Sequence, residues 1–179
     1  MTPLPSRVVI VHTREHVAAT HAAAEKTGVA VMLLSAPHIA SAGGPLYAKA
    51  LMGEATNLVT PVLDCGDDPG ICWRAVDVGW THVLFRGSDT LLEKARSALQ
   101  PKETSFPRKR ESMENTEEEN RTGFPIAPHT QLVGNDNGGS SAILTPNDLP
   151  SATLDLGQTT RKGEVLTAWI VGWMTGSVG

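Results

Sequence analysis

A chain of 179 residues and 19.0 kDa suits one domain, or one small domain with an appended tail. Its net charge of −4 and pI near 5.8 exclude the broad basic footprint that nonspecific nucleic-acid binding requires. Aromatic residues are only 4%, so a core must rest on Ala, Val, Leu and Ile.

The start, MTPLPSRVVIVH, lacks the basic, apolar and small-residue regions of a signal peptide. Near the other end, LTAWIVGWM is far shorter than the roughly 20 apolar residues of a membrane span. These features predict a soluble protein of the cytoplasm, with neither a membrane nor a nucleic acid as partner. Cys65 and Cys72 are too few for a disulfide framework or a zinc knuckle and fit a reducing compartment.

In chain order, VVIVH (Val8–His12) predicts a strand and REHVAATHAAAEKTG an Ala-rich helix stopped by Gly28. VAVMLLS (Val29–Ser35) is a nearly continuous apolar run, as in a strand covered on both faces. PLYAKALMGEA follows as a helix with Pro45 in its first turn. VTPVLD predicts a third strand, and in DDPGICWRAVDVG a helix is capped by Asp67 or Asp68 and ended by Gly79. THVLFRG is the fourth strand and SDTLLEKARSALQ the fourth helix, with Ser88 as its N-cap. The class is therefore α/β: four β-α units on a parallel sheet with right-handed crossovers, as half of a TIM-type barrel or a flavodoxin-like open sheet.

The pattern changes after Leu99. Residues 101–128 hold a basic cluster (Arg108, Lys109, Arg110) followed by acids (Glu114, Glu117, Glu118, Glu119), a composition that predicts a disordered charged insertion. Within it, SFPRKRES followed by RTGFPIA resembles the translated product of palindromic repeat elements inserted in some bacterial reading frames, over Ser105 to about Ala127. Residues 129–179 are rich in Gly, Asn, Ser and Thr and predict a largely irregular, weakly ordered tail. In that tail, Leu166, Trp169, Ile170 and Trp173 lie at the spacing of a short helix. The glycine-rich GNDNGGSS (Gly134–Ser141) lacks the strand before and the helix after that a phosphate loop needs.

From Ala22 to Ser88 the order of motifs is similar to the early part of class II fructose-bisphosphate aldolases. AAAEKTGVAVMLLSAPHIASAGGPLYAKALM matches a helix, a strand, a serine, an alanine-rich loop and a helix beginning near a tyrosine. VLDCGDDPGICWRAVDVGWTHVLFRGS matches that family's strand ending in Leu-Asp-His-Gly, its helix closing on Ala-Gly-Phe-Thr and its strand ending in Phe-Asp-Gly-Ser. The resemblance implies a (β/α)8 barrel with its site at the C-terminal strand ends, a divalent metal such as zinc, and an aspartate as proton-transfer group. On that resemblance Asp64 is the acid/base, Cys65 stands where a zinc-binding histidine would be, and Ser35 lies beside the substrate. Arg86 replaces the aspartate of Phe-Asp-Gly-Ser. The family's second half, with its remaining metal histidines and phosphate loops, has no counterpart after Leu99.

The residues allow other roles. Asp67 and Asp68 suit a helix cap as well as a metal cluster. His12, at the first strand's end, could join Cys65 on zinc or simply hydrogen-bond there. Arg86 could hold a small anionic ligand with Ser35 and Ser88, or pair with Asp64 or Asp89. Three readings follow. One is a non-catalytic aldolase-related scaffold that binds a small anionic or sugar-phosphate-like ligand. A second is a metal-dependent lyase, and the third is a reading frame truncated after an insertion. Four strands also leave sheet edges to cover, which predicts a homodimer of two half-barrels.

Overall fold

The computed structural model describes residues 4–99 and 141–177. The four β-α units predicted from the sequence are present. They are β1 (Arg7–Val11) with α1 (Arg14–Thr27), and β2 (Val31–Ser35) with α2 (Ile39–Met52). β3 (Val59–Asp64) with α3 (Pro69–Asp77) and β4 (His82–Leu84) with α4 (Asp89–Leu99) complete the set. Local signals place the ends. Thr13 caps α1 by accepting the His16 N–H at 3.2 Å, and Gly28 ends it in the left-handed conformation. Asp68, rather than Asp67, caps α3, its Oδ1 accepting the Gly70 N–H at 2.7 Å. α2 begins earlier than expected, at Ile39, but breaks at Gly44 (φ 80°), so that Pro45 starts a second helical piece as the sequence predicts.

The C-terminal part is more structured than its composition predicts. Residues 141–177 contain β5 (Ala142–Leu144), a 3-10 turn (Pro146–Asp148), β6 (Ala152–Asp155) and α5 (Gly163–Thr175). The weakly ordered tail expected over 129–179 is corrected there: both strands enter the main sheet. α5 buries Leu166, Ile170 and Met174, which explains the helical spacing of its apolar residues. All six strands are parallel, in the order β5-β4-β3-β2-β1-β6. The compact unit is therefore discontinuous, joining 1–100 to 139–179, with Pro101–Gly138 as a separate unit. The expected insertion at 101–128, its repeat-like stretch and all but the last residue of GNDNGGSS lie outside the described residues.

The two faces of the sheet are buried differently. Val9, Val11, Leu33, Leu63, Val83 and Phe85 face the helices and share one core with Ala23, Ala24, Met52, Cys72, Ala75, Leu92 and Ile170. On the other face Val8, Met32, Leu34, Val62, Leu84 and Leu144 bury one another, joined only by Ile10 and Leu149 among the described residues. Met32 and Val62 are fully buried, and among the described residues no helix packs over them. Opposite edges of a flat six-stranded sheet lie about 24 Å apart. The seven residues Thr145–Ser151 that link β5 to β6 reach about 25 Å only if fully extended. They contain a 3-10 turn and place Leu149 on the inner face, so the sheet must curl around its inner core.

Candidate functional site at the C-terminal strand ends

Parallel strands bring their C-terminal ends to one edge of the curled sheet, and the polar residues predicted as functional lie along it. Asp64 closes β3, and its side chain is 1% exposed. Burying a carboxylate requires a partner, and Arg86, just beyond β4, supplies one. Its Nε and Nη2 both donate to Asp64 Oδ2, at 2.9 and 2.7 Å. The other oxygen, Oδ1, accepts the Gly66 N–H at 2.9 Å. The corner is tied further by the backbone: Arg86 N–H donates to Gly66 C=O at 2.7 Å and Cys65 N–H to Leu84 C=O at 2.9 Å. The guanidinium is thus fixed in direction while its side chain stays 40% exposed.

Ser35, at the end of β2, is fully buried. Its Oγ accepts the Asp64 backbone N–H at 2.9 Å, so it serves the strand pairing and meets no solvent-borne ligand. Ser88 is exposed before α4 and accepts the N–H groups of Leu91 and Leu92 at its carbonyl.

Cys65 corrects the metal expectation. Successive residues of a strand point to opposite faces, so Asp64 and Cys65 cannot both face the inner side. Cys65 enters the helix-facing core, 2% exposed, in the same cluster as Cys72. Hydrogen bonding with Cys72, then burial and the nearby Asp64, push its thiol far above the usual range. His12 is turned to a different partner: its Nε2 lies 2.7 Å from Asp155 Oδ1. Among the described residues no three His, Cys, Asp or Glu side chains are grouped to hold a metal ion. The residues therefore do not fit zinc at Cys65 and His12.

The His12–Asp155 contact is the part that sequence reading missed. Asp155 closes β6 as Asp64 closes β3, and both lie in a Leu-Asp-x-Gly stretch, LDCG and LDLG. The two turns match: Asp155 Oδ1 accepts the Gly157 N–H at 2.8 Å, as Asp64 accepts that of Gly66. Each aspartate then pairs with a basic side chain just after the neighbouring strand, Arg86 beyond β4 or His12 beyond β1. Burial would raise the Asp155 carboxyl, but the Gly157 N–H and His12 outweigh it and hold it below the usual range.

Comparison of the chain with protein-family models, with curated proteins and with solved structures gave no match. Among the described residues, no helix is long and apolar enough to cross a membrane.

Proposed function

We propose that the chain is a non-catalytic, aldolase-related α/β scaffold that binds a small anionic or sugar-phosphate-like ligand at its C-terminal strand ends, with Arg86 as the anchor. One observation carries this reading: Arg86 is pre-oriented by a buried carboxylate yet keeps donors free. Asp64 takes Nε and Nη2, while Nη1 makes no hydrogen bond among the described residues and the side chain is 40% exposed. A guanidinium fork held this way matches the two oxygens of a phosphate or carboxylate and loses little freedom on binding. The parallel order of the units and the polar residues at the strand ends are what an aldolase-type ancestry would leave.

The catalytic alternative, with Asp64 as acid/base, has less support. Both of its oxygens are engaged, and its side chain is nearly sealed. A general base must reach the proton it takes.

Calorimetric titration of inorganic phosphate into the protein and its Arg86→Lys variant tests the anion reading. Lysine keeps the charge and loses the fork, so affinity should fall about tenfold, the size of one charge-assisted hydrogen bond. We extend the proposal to a homodimer formed through the sheet edges β5 and β6, each of which pairs on one side only among the described residues. Light scattering should give twice the 19.0 kDa chain mass, and a mass of one chain at micromolar concentration would refute the dimer.

A further inference from the structure

The seam where β6 and α5 join β1 and α1 contains a histidine whose hydrogen bonding requires it to be neutral. His16, in the first turn of α1, is 9% exposed. Its Nδ1 accepts the backbone N–H of His12 at 3.3 Å. An imidazolium has no lone pair at Nδ1, so protonation would set two donors against each other at that contact. The two rings meet edge to face, with centroids 6.1 Å apart. His12 is also the clip on β6: it holds Asp155 at 2.7 Å, and its ring lies so close to Gly157 that a Cβ there would sit 2.5 Å from Nε2. A turn of the His16 ring therefore reaches β6 through His12.

We propose that this seam is a proton-operated latch: charging His16 releases β6 and α5 from β1 and α1 before the rest of the sheet opens.

The charged groups around His16 act in both directions. Burial and His12 oppose its protonation, while Glu15 of α1 and Asp155 of β6 favour it. Burial and His12 prevail, and His16 titrates below its ordinary value. The folded value is depressed, so the neutral ring stabilises the seam above the unfolded value near 6.5. That contribution is lost as pH falls toward the folded value. With one proton involved, the ratio of released to docked seam rises at most tenfold per pH unit in that window. The His12–Asp155 contact does not share this loss. Asp155, held below the usual carboxylate range, stays ionised there. Glu15 is itself engaged, its Oε1 accepting the Gly163 N–H at the start of α5 at 3.0 Å, so one carboxylate beside His16 also holds α5.

Hydrogen exchange of the full chain between pH 7.5 and 5, corrected for the intrinsic chemical rate, tests the latch. Amides of β6 and α5 should lose protection by up to tenfold per pH unit below about 6.5 and stay less protected than those of β2 and β3, which open only with the whole fold. In His16→Gln, whose amide oxygen can still accept the His12 N–H, the acid-induced loss should vanish. Protection of β6 that does not change with pH, that changes equally in His16→Gln, or that equals the protection of β2 and β3 throughout would overturn the proposal. Should His16→Gln fail to fold, the His16 imidazole is followed by NMR in the unmodified protein. A titration midpoint at the pH where the loss of β6 protection levels off supports the latch, and a midpoint elsewhere refutes it.

Discussion

Arg86 donates twice to a single oxygen of Asp64, at 2.9 and 2.7 Å, and the carboxylate that receives both bonds is 1% exposed while the arginine is 40% exposed. The two partners are therefore not equivalent. Removing Arg86 leaves a charge stranded in the protein, whereas removing the charge of Asp64 leaves a guanidinium that water can reach. Arg86→Met should cost about 3 kcal/mol in urea unfolding, and Asp64→Asn noticeably less. The double variant should recover part of the loss, giving a coupling of about 1–2 kcal/mol in a double-mutant cycle. Additive single losses would mean that the pair is not coupled in solution.

Gly157 is fixed by its neighbour rather than by its backbone. A Cβ there would lie 2.5 Å from His12 Nε2 and 2.6 Å from Cε1. Gly157→Ala must push the ring aside and so break its contact with Asp155. We expect a destabilisation of about 1 kcal/mol, measured by chemical denaturation, from the lost charge-assisted contact and the overpacking. In a His12→Ala background the same change should be nearly neutral. An equal cost in both backgrounds would separate Gly157 from His12.

Stability should fall in two steps as the solution is acidified. Burial lowers both His16 and His82, so each contributes stability above the unfolded value near 6.5 that is lost as pH drops through it. Asp148 is held low mainly by the backbone and side-chain hydrogen bonds of Thr145, and Asp155 is also low. Their contributions are present above an unfolded value near 3.9 and are lost below it. Urea midpoints from pH 8 to 3 should show both steps, and His82→Gln should shrink the first. A flat profile between pH 7 and 5 would contradict the assignment.

Since β5 pairs with β4 and α5 shares the helix-side core, the chain after residue 140 belongs to the fold. Ile170→Ala, at a fully buried position, should cost 2–5 kcal/mol by chemical denaturation. Replacing residues 101–138 by a linker of about six Gly and Ser residues, a common length for a helix-to-strand connection, should leave the melting temperature within a few degrees. A large drop would show that the segment supports the sheet and would count against its origin as an insertion.

The first half of the fold was legible because its signals are local. β-Branched runs, Asp68 with Pro69, and the stops at Gly28 and Gly79 fix four β-α units without reference to distant partners. β5 and β6 were not legible. They are three and four residues long, and what makes them strands is pairing with β4 and β1, far away in the chain. The site was half readable for the same reason. Arg86 with Asp64 was one of the pairings its chemistry allowed. The facing of Cys65 follows from strand alternation, which separates it from Asp64 whatever a family resemblance implies. The clearest missed signal was the second Leu-Asp-x-Gly, at Leu154–Gly157, which repeats the strand end at Leu63–Gly66 and its turn.

Whether Arg86 receives a small anion is read directly by NMR of arginine side chains during titration with inorganic phosphate. The Nε and Nη signals of Arg86 should shift in a saturable way, and Arg86→Lys should weaken the affinity about tenfold while leaving the fold intact. Arg86 signals that do not move at millimolar phosphate, or an affinity unchanged in Arg86→Lys, would contradict the account.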